Sequence, residues 1–206
     1  NFFNEAVNFC KDHDLALLHD ASYTEVTYDG YVAPSILQAE GAIDIAMEFY
    51  SLSKTANMTG WRIGAAVGNP DMVNALMRVK SNIDSGLSQA IQEMGIQALD
   101  LPKSWLDDNN EKYRTRRDRV VAALKEIGMQ VEAPQAGLYI WVMVPSGFTS
   151  AEFAEKLLEE HDVVVTPGKS YGPSGEGYIR LSLTIPDDQI DEGIRRLSSL
   201  KIKNSK

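Results

Sequence analysis

Hydrophobic and polar positions along the chain alternate between short apolar runs and helical stretches. Phe2, Phe3, Ala6, Val7, Phe9 and Cys10 give residues 4–12 a broad apolar face, which predicts an amphipathic helix. Leu15-Ala16-Leu17-Leu18 predicts a short buried strand ending at His19-Asp20. Two further runs, 46–50 and 63–67, lack a helical period and are bounded by polar or Gly/Pro punctuation, so both read as buried strands. Residues 25–44 form a long irregular stretch punctuated by Gly30, Pro34 and Gly41, with Tyr28, Tyr31 and Pro34-Ser35 packing over the domain surface as loop residues that anchor a connection.

After Gly68-Asn69-Pro70 the period becomes helical. Met72, Leu76 and Val79 share one face, residues 81–86 interrupt it, and 87–100 resume it with Leu87, Ile91, Met94 and Ala98. A long helix is expected over 104–127, ended by Gly128. Beyond it, 129–133 and 137–144 are strand-like, Ser150–His161 is an amphipathic helix with Phe153, Ala154, Leu157 and Leu158 inward, 163–166 and 178–184 are strands, and 187–200 is a helix. That order predicts a small α+β domain with an antiparallel sheet covered on one face. The expected division is 1–128, an α/β unit ending in the long helix, and 129–206, the α+β unit with a frayed tail at 201–206.

Composition narrows the function classes. The 206 residues are 44% hydrophobic and 24% charged, ordinary for a globular chain long enough for one sizeable core. A net charge of -9 argues against nucleic-acid or anionic-membrane partners. The only basic cluster, K-Y-R-T-R-R-D-R at 112–119, is surrounded by acids and reads as a solvated, salt-bridged helix face. No run approaches the roughly 18 apolar residues that span a bilayer. The opening N-F-F-N has neither a basic region nor a cleavage-type apolar region, so no signal peptide is expected. A single cysteine, Cys10, excludes an internal disulfide, fits a reducing cytoplasm and reads as a buried helix residue. The three histidines lack metal-ligand spacing.

The chemistry concentrates in residues 51–64, S-L-S-K-T-A-N-M-T-G-W-R-I-G. Lys54 follows an apolar strand, where a cation is costly unless it has a partner or a task. A lysine in such a place shifts its pKa readily, which suits it to Schiff-base chemistry. The hydroxyls of Ser51, Ser53 and Thr55 and the fork of Arg62 together suit a phosphate. A phosphorylated aldehyde held by Lys54 is the ligand these groups suggest. Taken alone, S-x-S-K mostly marks solvated lysines; the fixed spacing of Asn57, Gly60, Arg62 and Gly64 makes the pattern specific.

This stretch resembles the lysine-site signature of the class I/II pyridoxal-phosphate aminotransferases of fold type I, matching every constrained position. Its T-A-N-M-T-G-W-R-I-G tail is most similar to the branch holding the LL-diaminopimelate aminotransferases and their aspartate and alanine relatives. The resemblance runs from the first residues to the last helix but covers only the C-terminal portion of such an enzyme. The start at Asn1, inside a helical pattern, agrees with a fragment. The fold it implies is α/β: part of the large domain of such transferases, a mixed sheet with helices, followed by a small α+β domain.

The resemblance also implies roles. D-A-S-Y is similar to the family's D-x-x-Y, in which the aspartate pairs with the pyridinium of pyridoxal 5'-phosphate and the tyrosine bonds the ring oxygen; Asp20 and Tyr23 take those places. Read locally, Asp20 is equally a cap or turn residue. Lys54 would be the catalytic amine, with Ser51, Ser53 and Arg62 on the phosphate. Asn82 would reach the cofactor across a homodimer or simply cap its helix. Arg180, in Y-I-R-L-S-L, would fork the substrate α-carboxylate; the plain alternative is a solvent-facing strand position. The stretch P-Q-A-G-L-Y-I-W at 134–141 would line the substrate side.

The implied activity is amino-group transfer between an L-amino acid and a 2-oxo acid by a cytoplasmic homodimer. Two alternatives remain open at this point. One is a cofactor-binding sensor domain of a transcription regulator. The other is a fragment without catalysis, because the family's N-terminal half supplies a ring-stacking aromatic, a glycine-rich phosphate loop and an asparagine on the ring oxygen.

Overall fold

The computed structural model of the chain describes residues 2–200; the tail expected at 201–206 lies outside them. Contacts group the chain into two units with the border between Asp107 and Asp108, earlier than the border at Gly128 expected from the sequence. The reason is the long helix α5 (Lys103–Glu126): Val120, Val121 and Leu124 on it are part of the second unit's core.

The first unit opens with α1 (Phe2–Asp12) and a three-stranded sheet of β1 (Leu17–Asp20), β2 (Ala46–Ser51) and β3 (Gly64–Gly68). β1 and β2 run parallel, in register from Leu17↔Ala46 to Asp20↔Phe49. β2 and β3 are antiparallel, from Met47↔Gly68 to Ser51↔Gly64, so the sheet is mixed. A parallel pair needs a long crossover. Here residues 21–45 supply it with two 3-10 turns, Ile36–Gln38 and Ala42–Asp44. Val7 from α1, Ile36, Ala42 and Ala46 form the small core beneath it. Cys10 is buried on α1, as its pattern predicts.

One expectation needs correction here. The strands were expected to be buried, yet β1 alternates half-buried and exposed residues, and Leu18 is 58% exposed. β3 is largely exposed, and α3 (Pro70–Ile83) buries no residue. The helical face is present but only partly covered by the described residues: Met72 and Leu76 are half-buried, while Met77, Val79 and Ile83 stand in solvent. Tyr28 is buried in the crossover, as an aromatic that anchors a connection would be. After α3 comes α4 (Gln89–Leu99), capped by Ser88, whose hydroxyl accepts from the Ile91 amide.

The second unit holds an antiparallel sheet in the order β4 (Tyr139–Met143), β6 (Tyr178–Ser182), β5 (Thr166–Pro167), with α6 (Ser150–His161) and α7 (Asp187–Leu197). β4 alternates cleanly: Ile140 and Val142 are fully buried while Trp141 and Met143 face out. The inward residues meet Phe153 and Leu157 of α6, Ile179 of β6 and Ile190 of α7. Truncating a fully buried residue such as Phe153 to alanine costs about 3–5 kcal/mol. The strand expected at 129–133 is reduced to one bridge, Val131↔Val142. Leu158, expected inward, lies on the outer side of α6.

The basic segment of α5 is salt-bridged but only partly solvated. Arg114 bridges Glu111 and Asp118. Arg116 forks Asp187, at the first turn of α7, and donates to the Leu183 carbonyl. Arg117 is 3% exposed and bonds Asp118 and the Pro134 carbonyl, so it is an interior residue. No helix among the described residues is long and apolar enough to cross a membrane.

Candidate active site

β1 and β2 end side by side, tied by the Ala21 amide donating to the Phe49 carbonyl at 2.9 Å. In α/β sheets ligands gather at such carboxyl ends. β2 runs directly into the one-turn helix α2 (Leu52–Thr55), and Ser51 is the hinge between them. Its backbone is extended and its hydroxyl accepts from the Ser53 amide at 3.2 Å, which caps the turn. Leu52, Ser53 and Thr55 point inward, leaving Lys54 half-buried between interior and solvent. Its Nζ lies 5.7 Å from the centroid of the Tyr23 ring. Lys54 thus sits on a capped helical turn rather than in an open connection between strands.

The turn that follows is tightly tied down. The amides of Ala56 and Met58 both reach the Leu52 carbonyl, and the Thr59 hydroxyl donates to the Ser53 carbonyl at 3.0 Å. Asn57 and Arg62 both adopt left-handed backbone, at φ 55° and 54°. Arg62 is exposed; one of its guanidinium nitrogens donates to the Thr59 carbonyl at 3.1 Å, and the others have no partner among the described residues. Gly64 lies against the Tyr50 carbonyl, where a Cβ would collide with backbone. Burial pushes the Tyr50 phenol up; the Thr55 hydrogen bond opposes this, and the Glu25 charge adds to the rise.

Asp20 is exposed at the end of β1. One of its oxygens accepts from the amide and hydroxyl of Ser22, at 3.3 and 2.6 Å, so it does form the turn its local sequence allows. Its other oxygen has no partner among the described residues. Asn82 is exposed in the last turn of α3 and donates to the Arg78 carbonyl of its own helix. Arg180 belongs to the second unit, on the central strand β6, half-buried on the outward face of the sheet opposite Trp141 of β4. The first unit therefore brings Asp20, Tyr23, Ser51, Ser53, Lys54 and Arg62 to one end of the sheet, whereas Asn82 and Arg180 stand on other elements.

Sequence reasoning missed Glu48. It is 9% exposed on β2, and its Oε2 accepts from the Ser35 hydroxyl at 2.8 Å and the Ile36 amide at 3.0 Å, with His19 Nδ1 at 2.9 Å. Ser35 also closes a capping box with Gln38. The segment Pro34-Ser35-Ile36-Leu37-Gln38 thereby clamps the crossover onto both parallel strands, just behind Asp20. The signal was there: a glutamate in an otherwise apolar strand.

An α/β unit with a capped lysine turn at its carboxyl edge, followed by a small α+β unit, defines the class of protein. Residues 2–197 match the family described as aminotransferase class I and II. The chain is 56% identical over 201 residues to the LL-diaminopimelate aminotransferase of Dehalococcoides mccartyi, covering 98% of this chain and 52% of that one. It is 50% identical over 196 residues to the enzyme of the same name from Moorella thermoacetica, 95% of this chain and 50% of that one. An aminotransferase structure from Staphylococcus aureus superposes with a TM-score of 0.89 at 37% identity, over 95% of this chain and 52% of that one. The chain belongs to the class I and II aminotransferase family. It spans about half the length of the curated relatives it matches.

Proposed function

We propose that this chain is part of a pyridoxal-phosphate-dependent aminotransferase that moves an amino group between an L-amino acid and a 2-oxo acid, with LL-diaminopimelate as the favoured amino donor. The observation that carries the reading is the placement of Lys54 over Tyr23 at the carboxyl end of the parallel pair that also presents Asp20. The donor named is the one in the names of the relatives at 56% and 50% identity.

The groups present fit pyridoxal phosphate: an amine, a phenol, a carboxylate with one uncommitted oxygen, and hydroxyls beside a guanidinium. The Ser53 hydroxyl has no hydrogen-bond partner among the described residues, and Ser51 as a cap only accepts, so both can donate to a phosphate. When bound, the cofactor supplies an electrophilic carbonyl and a ring that takes up the electron pair left as the Cα proton departs. Lys54 would hold that carbonyl through its amine and, once displaced from it by the substrate's amine, would carry the proton away from substrate Cα. Asp20 keeps the ring nitrogen charged, and Tyr23 bonds the ring oxygen. Arg62 with the two serines binds the phosphate, Asn82 approaches from a second subunit of a homodimer, and Arg180 orients the α-carboxylate.

The activity belongs to the whole protein. Borohydride reduction of the full-length, cofactor-loaded protein followed by peptide mapping should place the phosphopyridoxyl group on Lys54. A panel of amino acids and 2-oxo acids should then rank LL-diaminopimelate first. Label on another lysine, or none, would overturn the assignment.

A further inference from the structure

We infer that Tyr171 and Tyr139 are positioning residues for Arg180, and that loop 168–177 is a fixed strap whose task is to hold Tyr171 there. The inference rests on Arg180 being the carboxylate-binding group. The other six arginines of the second unit, Arg114, Arg116, Arg117, Arg119, Arg195 and Arg196, each pair with a carboxylate. Of these seven, only Arg180 has a side chain with no hydrogen bond or ion pair among the described residues. What it has instead is aromatic: its guanidinium carbon lies 3.9 Å from the centroid of Tyr139 and 4.5 Å from that of Tyr171.

Rings pack against the face of a guanidinium and leave its in-plane N–H fork unused. A planar carboxylate needs that fork. The two tyrosines therefore restrict the arginine and dry its surroundings without consuming the donors a ligand would take. Rotamer freedom surrendered in advance is not lost again on binding.

Tyr139 is fixed by its place in β4, opposite Ser182 of β6. Tyr171 has no strand to hold it; it ends the 3-10 turn Gly168–Tyr171. That turn is held at several points. Gly168 and Gly175 approach so closely that a Cβ on either would enter the other's backbone. The Glu176 carboxylate accepts from the Ser150 amide and hydroxyl, at 2.6 and 2.9 Å, and from the Gly177 amide at 3.0 Å. The Lys169 amide reaches back to the Ser150 hydroxyl, and Ser150 is fully buried. Trp141 meets Tyr171 edge-on at 5.5 Å. Gly168 and Gly175 are here a condition of close approach rather than a source of mobility. Tyr171 itself is 48% exposed, so its ring contributes little to the core and can be changed without opening a cavity.

The test uses the full-length protein with Tyr171→Leu, Tyr171→Phe and Arg180→Gln. Calorimetry with maleate, a dicarboxylate with no amine to react, is run beside steady-state kinetics and the absorbance spectrum of the bound cofactor. Y171L should weaken maleate binding and raise KM by about three- to thirtyfold, with kcat and the spectrum unchanged. Y171F, which keeps the ring, should behave as the parent. If R180Q weakens maleate while Y171L does not, or if Y171F is as impaired as Y171L, the positioning role is overturned and the carboxylate reading survives. If R180Q binds maleate normally, the carboxylate reading fails and the inference falls with it.

Discussion

His19 Nδ1 and Glu48 Oε2 lie 2.9 Å apart across the parallel pair β1–β2, and the same oxygen serves Ser35 and Ile36. A carboxylate at this depth is tolerated because each partner answers its charge. Glu48→Ala leaves an amide, a hydroxyl and an imidazole without their acceptor and should destabilise the full-length protein by about 3 kcal/mol. Glu48→Gln keeps one acceptor oxygen and should cost roughly half as much. Urea midpoints measure both; an alanine variant as stable as the parent would show that the clamp carries no weight.

Lys54 can be tested without reference to substrate identity. Lys54→Ala in the full-length protein should reduce amino transfer by roughly a thousandfold or more, since on the proposed reading it removes both the covalent anchor and the proton carrier. Single-turnover rates report the loss. Denaturation should show the fold intact, because the side chain is only half-buried and the Ser51 cap stays in place.

Two glycines should respond in opposite directions. Gly168→Ala drives a methyl into the Gly175 backbone and should cost about 1–3 kcal/mol, with new proteolytic cleavage in loop 168–177. Gly193, inside α7, faces open space, and Gly193→Ala should add about 0.5–1 kcal/mol through helix propensity. Thermal melting of the two variants distinguishes these directions.

Acid should loosen the strap. The amides of Ser150 and Gly177, followed by the Ser150 hydroxyl, hold the Glu176 carboxyl below its ordinary value of 4.5. A carboxylate depressed on folding stabilises the fold above its unfolded pKa, and that contribution disappears as pH falls through the folded value. The expected window therefore opens near pH 4.5 and extends downward. Trp141 fluorescence, sensitive to the neighbouring Tyr171, should change across it. Glu176→Gln should abolish that transition.

What the sequence revealed follows from how local each signal is. The lysine turn is written in consecutive residues, so its motif was legible, whereas the Ser51 cap and the helical turn that carries Lys54 were not read from it. α6 begins and ends where its cap and period place it, because Thr149 and Glu152 lie within one turn. The Glu48 clamp was not legible, since its partners His19 and Ser35 lie 29 and 13 residues away. Glycines at 168 and 175 carry the same letter whether they confer freedom or permit contact. The apolar face of α3 was read correctly, but burial depends on what covers it, and a helical period does not contain that information. The unit border shifted because the inward stripe of α5 faces the second core, which no single residue in the helix announces.

Arg62 occupies a left-handed backbone position, where a glycine would be at ease and a long side chain is disfavoured by about 1 kcal/mol or more. Arg62→Gly should therefore yield a sturdier polypeptide that has lost an anion grip. A search for heat-tolerant variants would be drawn to this position, and selecting on melting temperature alone would discard the side chain proposed to grip the cofactor's phosphate.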